Sequence, residues 1–156
     1  MMLEPEFVTF QWSDGCVDLV NAPIFADTSD FKGIHLAVAD LSQDFARVTG
    51  GKASPIQALD SDDDLQSECA IIVGSLQSPT IQRLEREEKL DVSEIRGRWE
   101  CFLTIVVERP FPGCKTALVI AGSDKRGAIF GTYTLSEQIG VSPYDRYQLP
   151  MIEYLT

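Results

Sequence analysis

Between Gly122 and Gly127 the chain reads Gly-Ser-Asp-Lys-Arg-Gly, with one carboxylate and two cations side by side and a third glycine at position 131. Between a strand and a helix, such a turn exposes backbone N–H groups that can meet a phosphate or a carboxylate. A P-loop further requires Lys and then Ser or Thr directly after its second glycine. Gly122 and Gly127 have the right separation, but Ala128 and Ile129 follow. No ammonium is then placed for the outer phosphates, and no hydroxyl for magnesium. The dinucleotide fingerprint GxGxxG fails too, because its second glycine falls on Asp124. What is left is a helix start that either meets an anion or is capped internally by Ser123 or Asp124. Gly127 and Gly131 each cost a helix about 1 kcal/mol relative to Ala. A helix accepts that where its backbone must approach a neighbour closely, so the seating role is favoured. Lys125 and Arg126, with Arg96 and Arg98 behind them, are the candidate contacts for an anionic substrate.

Other chemistry-bearing residues are scattered. His35 is the one histidine, and it lies a step off an apolar helical face, where a boundary role is the ordinary one. Cys16, Cys69, Cys101 and Cys114 form no CxxC pair, so no zinc-type ligand spacing exists. Cys101 and Cys114 flank a predicted hairpin, which leaves both a disulfide and free thiols open. The acidic run from Asp60 to Asp64 lacks the spaced array and distant Glu of a calcium loop and reads as a solvated turn. Glu100, Glu108 and Glu137 are read as edge or solvent-facing carboxylates. No catalytic residue, no metal site and no cofactor is assigned.

The totals narrow the field. At 156 residues the chain has the size of one domain, and 44% hydrophobic residues suit a packed core. A net charge of −11 repels nucleic acid and anionic lipid. No apolar run reaches the ~18 residues of a membrane span. MMLEPEFVTFQW has neither the basic region nor the apolar core of a signal peptide.

These residues need elements to hold them. Alternation around Ser13-Asp14-Gly15 predicts a hairpin of Phe7–Trp12 with Cys16–Ala22, followed by a short strand over Pro23–Asp27. Ile34, Val38, Leu41, Phe45 and Val48 recur at helical spacing, with Ser29 or Asp30 as cap and Gly50-Gly51 at the end. A strand over Ser54–Leu59 and a doubly covered strand over Glu68–Gln77 come next. Ser78-Pro79 opens a helix with Ile81 and Leu84 on one face. Trp99–Val107 and Thr116–Ala121 form an antiparallel pair joined through RPFPGCK, and a last helix covers Lys125–Ile139. The expected fold is α/β with an α+β character: a mixed β-sheet with antiparallel hairpins, flanked by about three helices.

GSDKRGAIFGTYTLSEQIGVSP, from Gly122 to Pro143, resembles the signature closing the N-terminal domain of glycoside hydrolase family 115. DFKGIHLAVADLSQDFARVTG, SPTIQRLEREEKLDVSEIRGRWECF and PFPGCKTALVIAGSDKRG fall in that family's order and spacing. The resemblance covers most of Pro23 to Pro143. It implies an α/β unit standing before a (β/α)₈ barrel, in α-glucuronidases that remove glucuronic acid or its 4-O-methyl ether from xylan. It also implies that the acid–base carboxylates and most of the sugar pocket belong to the barrel. A barrel of this type takes about 250 residues, whereas only YDRYQLPMIEYLT follows Pro143. The expectation is therefore a domain over residues 1–143, truncated before the barrel, and a divergent tail over 144–156. The implied partners are a barrel of the same chain and glucuronoxylan, with self-association through an uncovered interface. Family members are often secreted, so the lack of a visible signal leaves the localisation open.

Three functions compete on this reading. The first is a non-catalytic N-terminal domain of an α-glucuronidase, inactive alone. The second is a stand-alone binding module for an acidic sugar or another anion, held by Lys125 and Arg126. A complete small hydrolase ranks last, for want of a recognisable carboxylate pair.

Overall fold

The structure, a computed structural model, describes Val8 and residues 17–51, 53–58 and 66–141. In chain order these form β1 (Ile24–Ala26), α1 (Lys32–Thr49), β2 (Ile56–Ala58), β3 (Ser67–Ser75) and α2 (Pro79–Arg86). β4 (Phe102–Phe111), β5 (Cys114–Gly122) and α3 (Lys125–Gln138) complete them. The strands make one sheet in the order β2-β1-β3-β5-β4. β1 is parallel to β2 and β3, and β3 is parallel to β5, while β4 runs antiparallel to β5. The fold is thus α/β with a mixed sheet, as its alternating strand and helix signals predict.

Composition explains the layering. Ala70-Ile71-Ile72-Val73 and Ala117–Ala121 are buried throughout, because each strand is covered on both faces. On one face Ile24, Ile71, Val73 and Ile120 meet Ile34, Val38 and Leu41 of α1 and Leu135 of α3. On the other, Phe25, Ile72 and Val119 meet Ile81 and Leu84 of α2, together with Leu90, Val92 and Ile95 of the turns behind it. Each such Ile or Leu contributes roughly 1.5–3 kcal/mol by leaving water. Helix ends follow local rules. Gly50 closes α1 in the left-handed region at φ 67°, and the Ser78 hydroxyl accepts from Ile81 N, with Pro79 in the first turn of α2.

Several expectations shift. The first arm of the predicted N-terminal hairpin and its Asp-Gly turn lie outside the described residues, Val8 apart. Of the second arm, residues 17–22 are irregular chain, closed by an Ala22 N to Leu19 O turn bond with Asn21 at φ 62°. The described antiparallel hairpin is β4–β5, and its turn is tighter than RPFPGCK suggests, since β4 runs through Arg109 and Pro110 to Phe111. Phe31, not Ser29 or Asp30, occupies the N-cap of α1. Asp30 is drawn away by stronger partners at the end of β3: its carboxylate accepts from Ser75 N at 2.9 Å and from Ser75 Oγ at 2.8 Å. Cys69, Cys101 and Cys114 are free thiols. Phe102 faces Gly122 and Phe111 faces Cys114, so Cys101 and Cys114 stand at opposite ends of the hairpin. That is roughly 30 Å at the strand rise, against the ~7 Å limit for a disulfide. The acidic run and the tail over 144–156 lie outside the described residues.

Candidate functional site

β1, β3 and β5 run parallel, so their carboxyl ends, at Asp27, Ser75 and Gly122, share one edge of the sheet. From β1 the chain crosses by α1 to β2 over one face. From β3 it proceeds by α2 towards β4 and β5 over the other. The switch point therefore lies between β1 and β3, where open α/β sheets usually hold their ligands.

Here that crevice is filled by the chain's own side chains. Asp27, Asp30, Ser75, Ser78 and Thr80 are all buried. Asp27 Oδ1 accepts the Thr80 hydroxyl at 2.7 Å, and Oδ2 accepts Thr80 N at 3.1 Å and the Ser78 hydroxyl. Asp30 Oδ1 accepts the Ser75 hydroxyl and Phe31 N, at 2.8 and 2.9 Å, while Oδ2 takes Ser75 N. The hydroxyls are likewise used, since Ser78 Oγ accepts Ile81 N and Ser75 Oγ accepts Gln77 N. His35 Nε2 stands 2.7 Å from the Asp27 carbonyl oxygen, which only accepts, so the proton sits on Nε2. The arrangement pairs two buried carboxylates with internal donors, and it offers neither a nucleophile with a free base nor an open acid. Asp27 also lies where an anion would meet the start of α2, so an internal carboxylate stands in for a ligand.

The glycine turn at the next strand end is a second knot. Asp124 Oδ1 caps α3 by accepting Gly127 N at 2.8 Å, and its Oδ2 accepts Glu100 N at 3.0 Å. These bonds, first Glu100 N and then Gly127 N, hold the Asp124 carboxyl below the ordinary carboxylate range. Ser123 and Cys101 are tied twice, by Ser123 N to Cys101 O at 2.8 Å and by Cys101 N to Ser123 Oγ at 3.0 Å. The glycines permit this closeness. A Cβ on Gly127 would stand 2.1 Å from Cys101 O, and one on Gly122 would stand 2.1 Å from Ala128 N.

The sequence-derived candidates separate here. Arg126 forms an ion pair with Glu100 at 2.6 Å, and Arg96 one with Glu85 at 2.6 Å. Lys125 and Arg98 are exposed. Glu100 precedes β4 at φ 55°, and Glu108 is an exposed residue of β4. They lie about 25 Å apart along extended chain, too far for a glycosidase pair at roughly 5–9.5 Å. Glu137 is exposed near the end of α3. Trp99 was legible only as a strand start, yet it lies outside β4 and is 87% exposed. At the opposite edge of the sheet, an open groove of about 490 Å³ is lined by Gln66, Glu68, Arg109, Gly113, Cys114 and Lys115 among others. It lies away from the switch point. Among the described residues, no group of three or more His, Cys, Asp or Glu is placed to hold a metal ion, and no helix is long and apolar enough to cross a membrane.

Comparison with known proteins bears on the fold. The structure of BtGH115A, a family GH115 4-O-methyl-alpha-glucuronidase with specificity for decorated arabinogalactans, aligns with this chain at a TM-score of 0.63 and 24% identity. The alignment covers 85% of this chain and 15% of that enzyme. At this identity the likeness shows a shared fold, and the chain spans about one seventh of the enzyme's length. No family model and no curated protein matches the sequence.

Proposed function

We propose that this chain is a non-catalytic α/β domain of the kind that stands at the N-terminus of family 115 α-glucuronidases, inactive in hydrolysis by itself. The observation that carries this reading is the asymmetry of the structural match, which takes in 85% of this chain but only 15% of the enzyme. The sequence likeness of Gly122–Pro143 to the family's closing signature, and of most of Pro23–Pro143 to its N-terminal domain, also supports it. The filled crevice supports the non-catalytic part: its two buried carboxylates accept internal hydrogen bonds at every oxygen. Glycoside hydrolysis needs one carboxyl held protonated and a second placed across the scissile bond. The oxygens of Asp27 and Asp30 are instead taken up by donors from Phe31, Ser75, Ser78 and Thr80, which favours a structural role for both.

The test is an assay of released 4-O-methylglucuronic acid after incubating the purified chain with glucuronoxylan and with decorated arabinogalactan. No release above the heat-denatured control is expected. Release that disappears in Asp27→Asn or Asp30→Asn, with the fold intact by circular dichroism, would overturn the reading. Sequencing the native transcript across the codons for Val141–Thr156 tests the linkage to a barrel. Continuation from Pro143 into a barrel-encoding frame is the expected result.

A further inference from the structure

The sheet ends on β4, and among the described residues no strand lies against its outer side. In an antiparallel ladder every second residue turns its N–H and C=O away from the paired neighbour. β4 therefore presents a row of open backbone donors and acceptors along its ten residues, whereas the opposite edge, β2, is three residues long. Edges are normally blunted by charges, proline or a bulge. On β4 these devices are confined to one end, where Glu108, Arg109 and Pro110 stand at a register shift and Arg109 has φ 49°. The stretch Phe102–Val107, Phe-Leu-Thr-Ile-Val-Val, carries none of them.

Both faces of that stretch are apolar, and neither is fully covered. Ile105 pairs with Val119, in the layer packed under α2, and is 40% exposed. Val106 pairs with Leu118, in the layer packed under α1 and α3, and is 47% exposed. Open backbone groups select a β-strand as the occupant. A strand of ordinary alternation would cover one of these residues with apolar atoms and lay polar ones on the other. A strand apolar on both faces covers the two together, and β4 is itself such a strand, Thr104 apart. Charge favours the antiparallel sense. It brings the Glu108–Arg109 end of each copy to the Glu100–Arg126 end of the other, whereas parallel pairing sets Glu108 against Glu108. We infer that β4 pairs antiparallel with β4 of a second copy of this chain, joining two five-stranded sheets across a two-fold axis near Ile105 and Val106. The pairing uses up the open edge of each copy, so assembly closes at the dimer.

Sedimentation equilibrium and amide hydrogen exchange of the whole purified chain, from micromolar to millimolar concentration, test this. The net charge of −11 opposes association at long range, so the salt is held at about 0.15 M, where screening acts beyond about 8 Å. A monomer–dimer equilibrium is expected, with amides of Phe102–Val107 exchanging slowly in concentrated solution and fast on dilution. Ile105→Lys and Val106→Lys each set a charge in the pair and should raise the dimer Kd at least tenfold. Leu36→Lys on α1 and Phe130→Lys on α3 change exposed apolar residues of the helical layer and should leave that Kd as it is. Should the Lys variants of β4 unfold by circular dichroism, the exchange of the unaltered chain still decides. A monomer at millimolar concentration overturns the proposal, as does a mass that grows past the dimer. So does a dimer broken by Leu36→Lys or Phe130→Lys but not by the β4 variants. Protection of the β4 amides that is independent of concentration overturns it too, because the edge is then covered within one chain. None of these readouts involves hydrolysis, so failure here leaves the proposed domain function standing.

Discussion

Asp27 Oδ1 accepts the hydroxyl of Thr80 at 2.7 Å, tying the carboxyl end of β1 to the first turn of α2. This bond, with those to Thr80 N and Ser78, turns the place where α/β sheets usually bind ligands into a structural joint. Asp27→Ala removes a buried acceptor and strands the donors it serves, so it should lower stability by roughly 2–3 kcal/mol. Urea denaturation checks this. A loss within ~0.5 kcal/mol of wild type, the usual range for surface positions, would mean that water reaches the crevice.

Asp124 gives the chain a pH-dependent element. Its hydrogen bonds to Glu100 N and Gly127 N keep its folded pKa below the unfolded value, which lies near about 3.9. A depressed carboxylate contributes stability that is present above the unfolded pKa and lost as the pH falls through the folded one. Asp124→Asn should therefore flatten the acid limb of the stability curve below about pH 4. Asp124→Ala should cost about 1 kcal/mol at neutral pH through loss of the cap. An unchanged acid limb in thermal melts from pH 2 to 6 would show that the carboxylate is not so held.

The two helical glycines should respond unequally to alanine. A methyl on Gly127 meets a backbone oxygen, Cys101 O, at 2.1 Å, whereas one on Gly131 meets side-chain atoms, Ile120 Cγ2 at 2.6 Å and the Phe102 ring at 3.0 Å. Backbone held on both sides yields less than a side chain. Gly127→Ala should lose about 2 kcal/mol or more despite the better helix propensity of Ala. Gly131→Ala should lose less. Chemical denaturation of the pair gives the order, and a neutral or stabilising Gly127→Ala would contradict the close approach.

The thiols should differ in reactivity. Cys114 is buried, and that burial pushes its thiol pKa up. Cys101 is half-buried at the other end of the β4–β5 ladder. Under native conditions, alkylation followed by peptide mass spectrometry should label Cys101 well before Cys114. No peptide linking Cys101 to Cys114 should appear without reductant. Such a linked peptide would require a different hairpin.

Local signals were legible because their causes are local. The apolar spacing of Ile34, Val38, Leu41 and Phe45 gave α1, and Ser78-Pro79 gave the start of α2. The unbroken apolar run through Ala70–Val73 announced a strand covered on both faces, and the β4–β5 pairing followed from the Pro- and Gly-rich connection. The glycine turn could be read as a helix seat because a capping carboxylate and two helical glycines lie within a few residues of one another.

The sequence alone thus determined the kinds of element, the apolar layers and the failure of the nucleotide-binding motifs, all of which depend on neighbours a turn or a strand apart. Only the tertiary structure decided that Asp27 and Asp30 close the crevice with Ser75, Ser78 and Thr80. Their separation along the chain is about fifty residues, 45 from Asp30 to Ser75 and 53 from Asp27 to Thr80. Strand order brings them together, and no local pattern encodes strand order. The same holds for Arg126, Glu100 and the exposed Trp99. A cation is free or spent according to which distant carboxylate the fold sets beside it, and that choice belongs to the packing of α3 against the turn before β4.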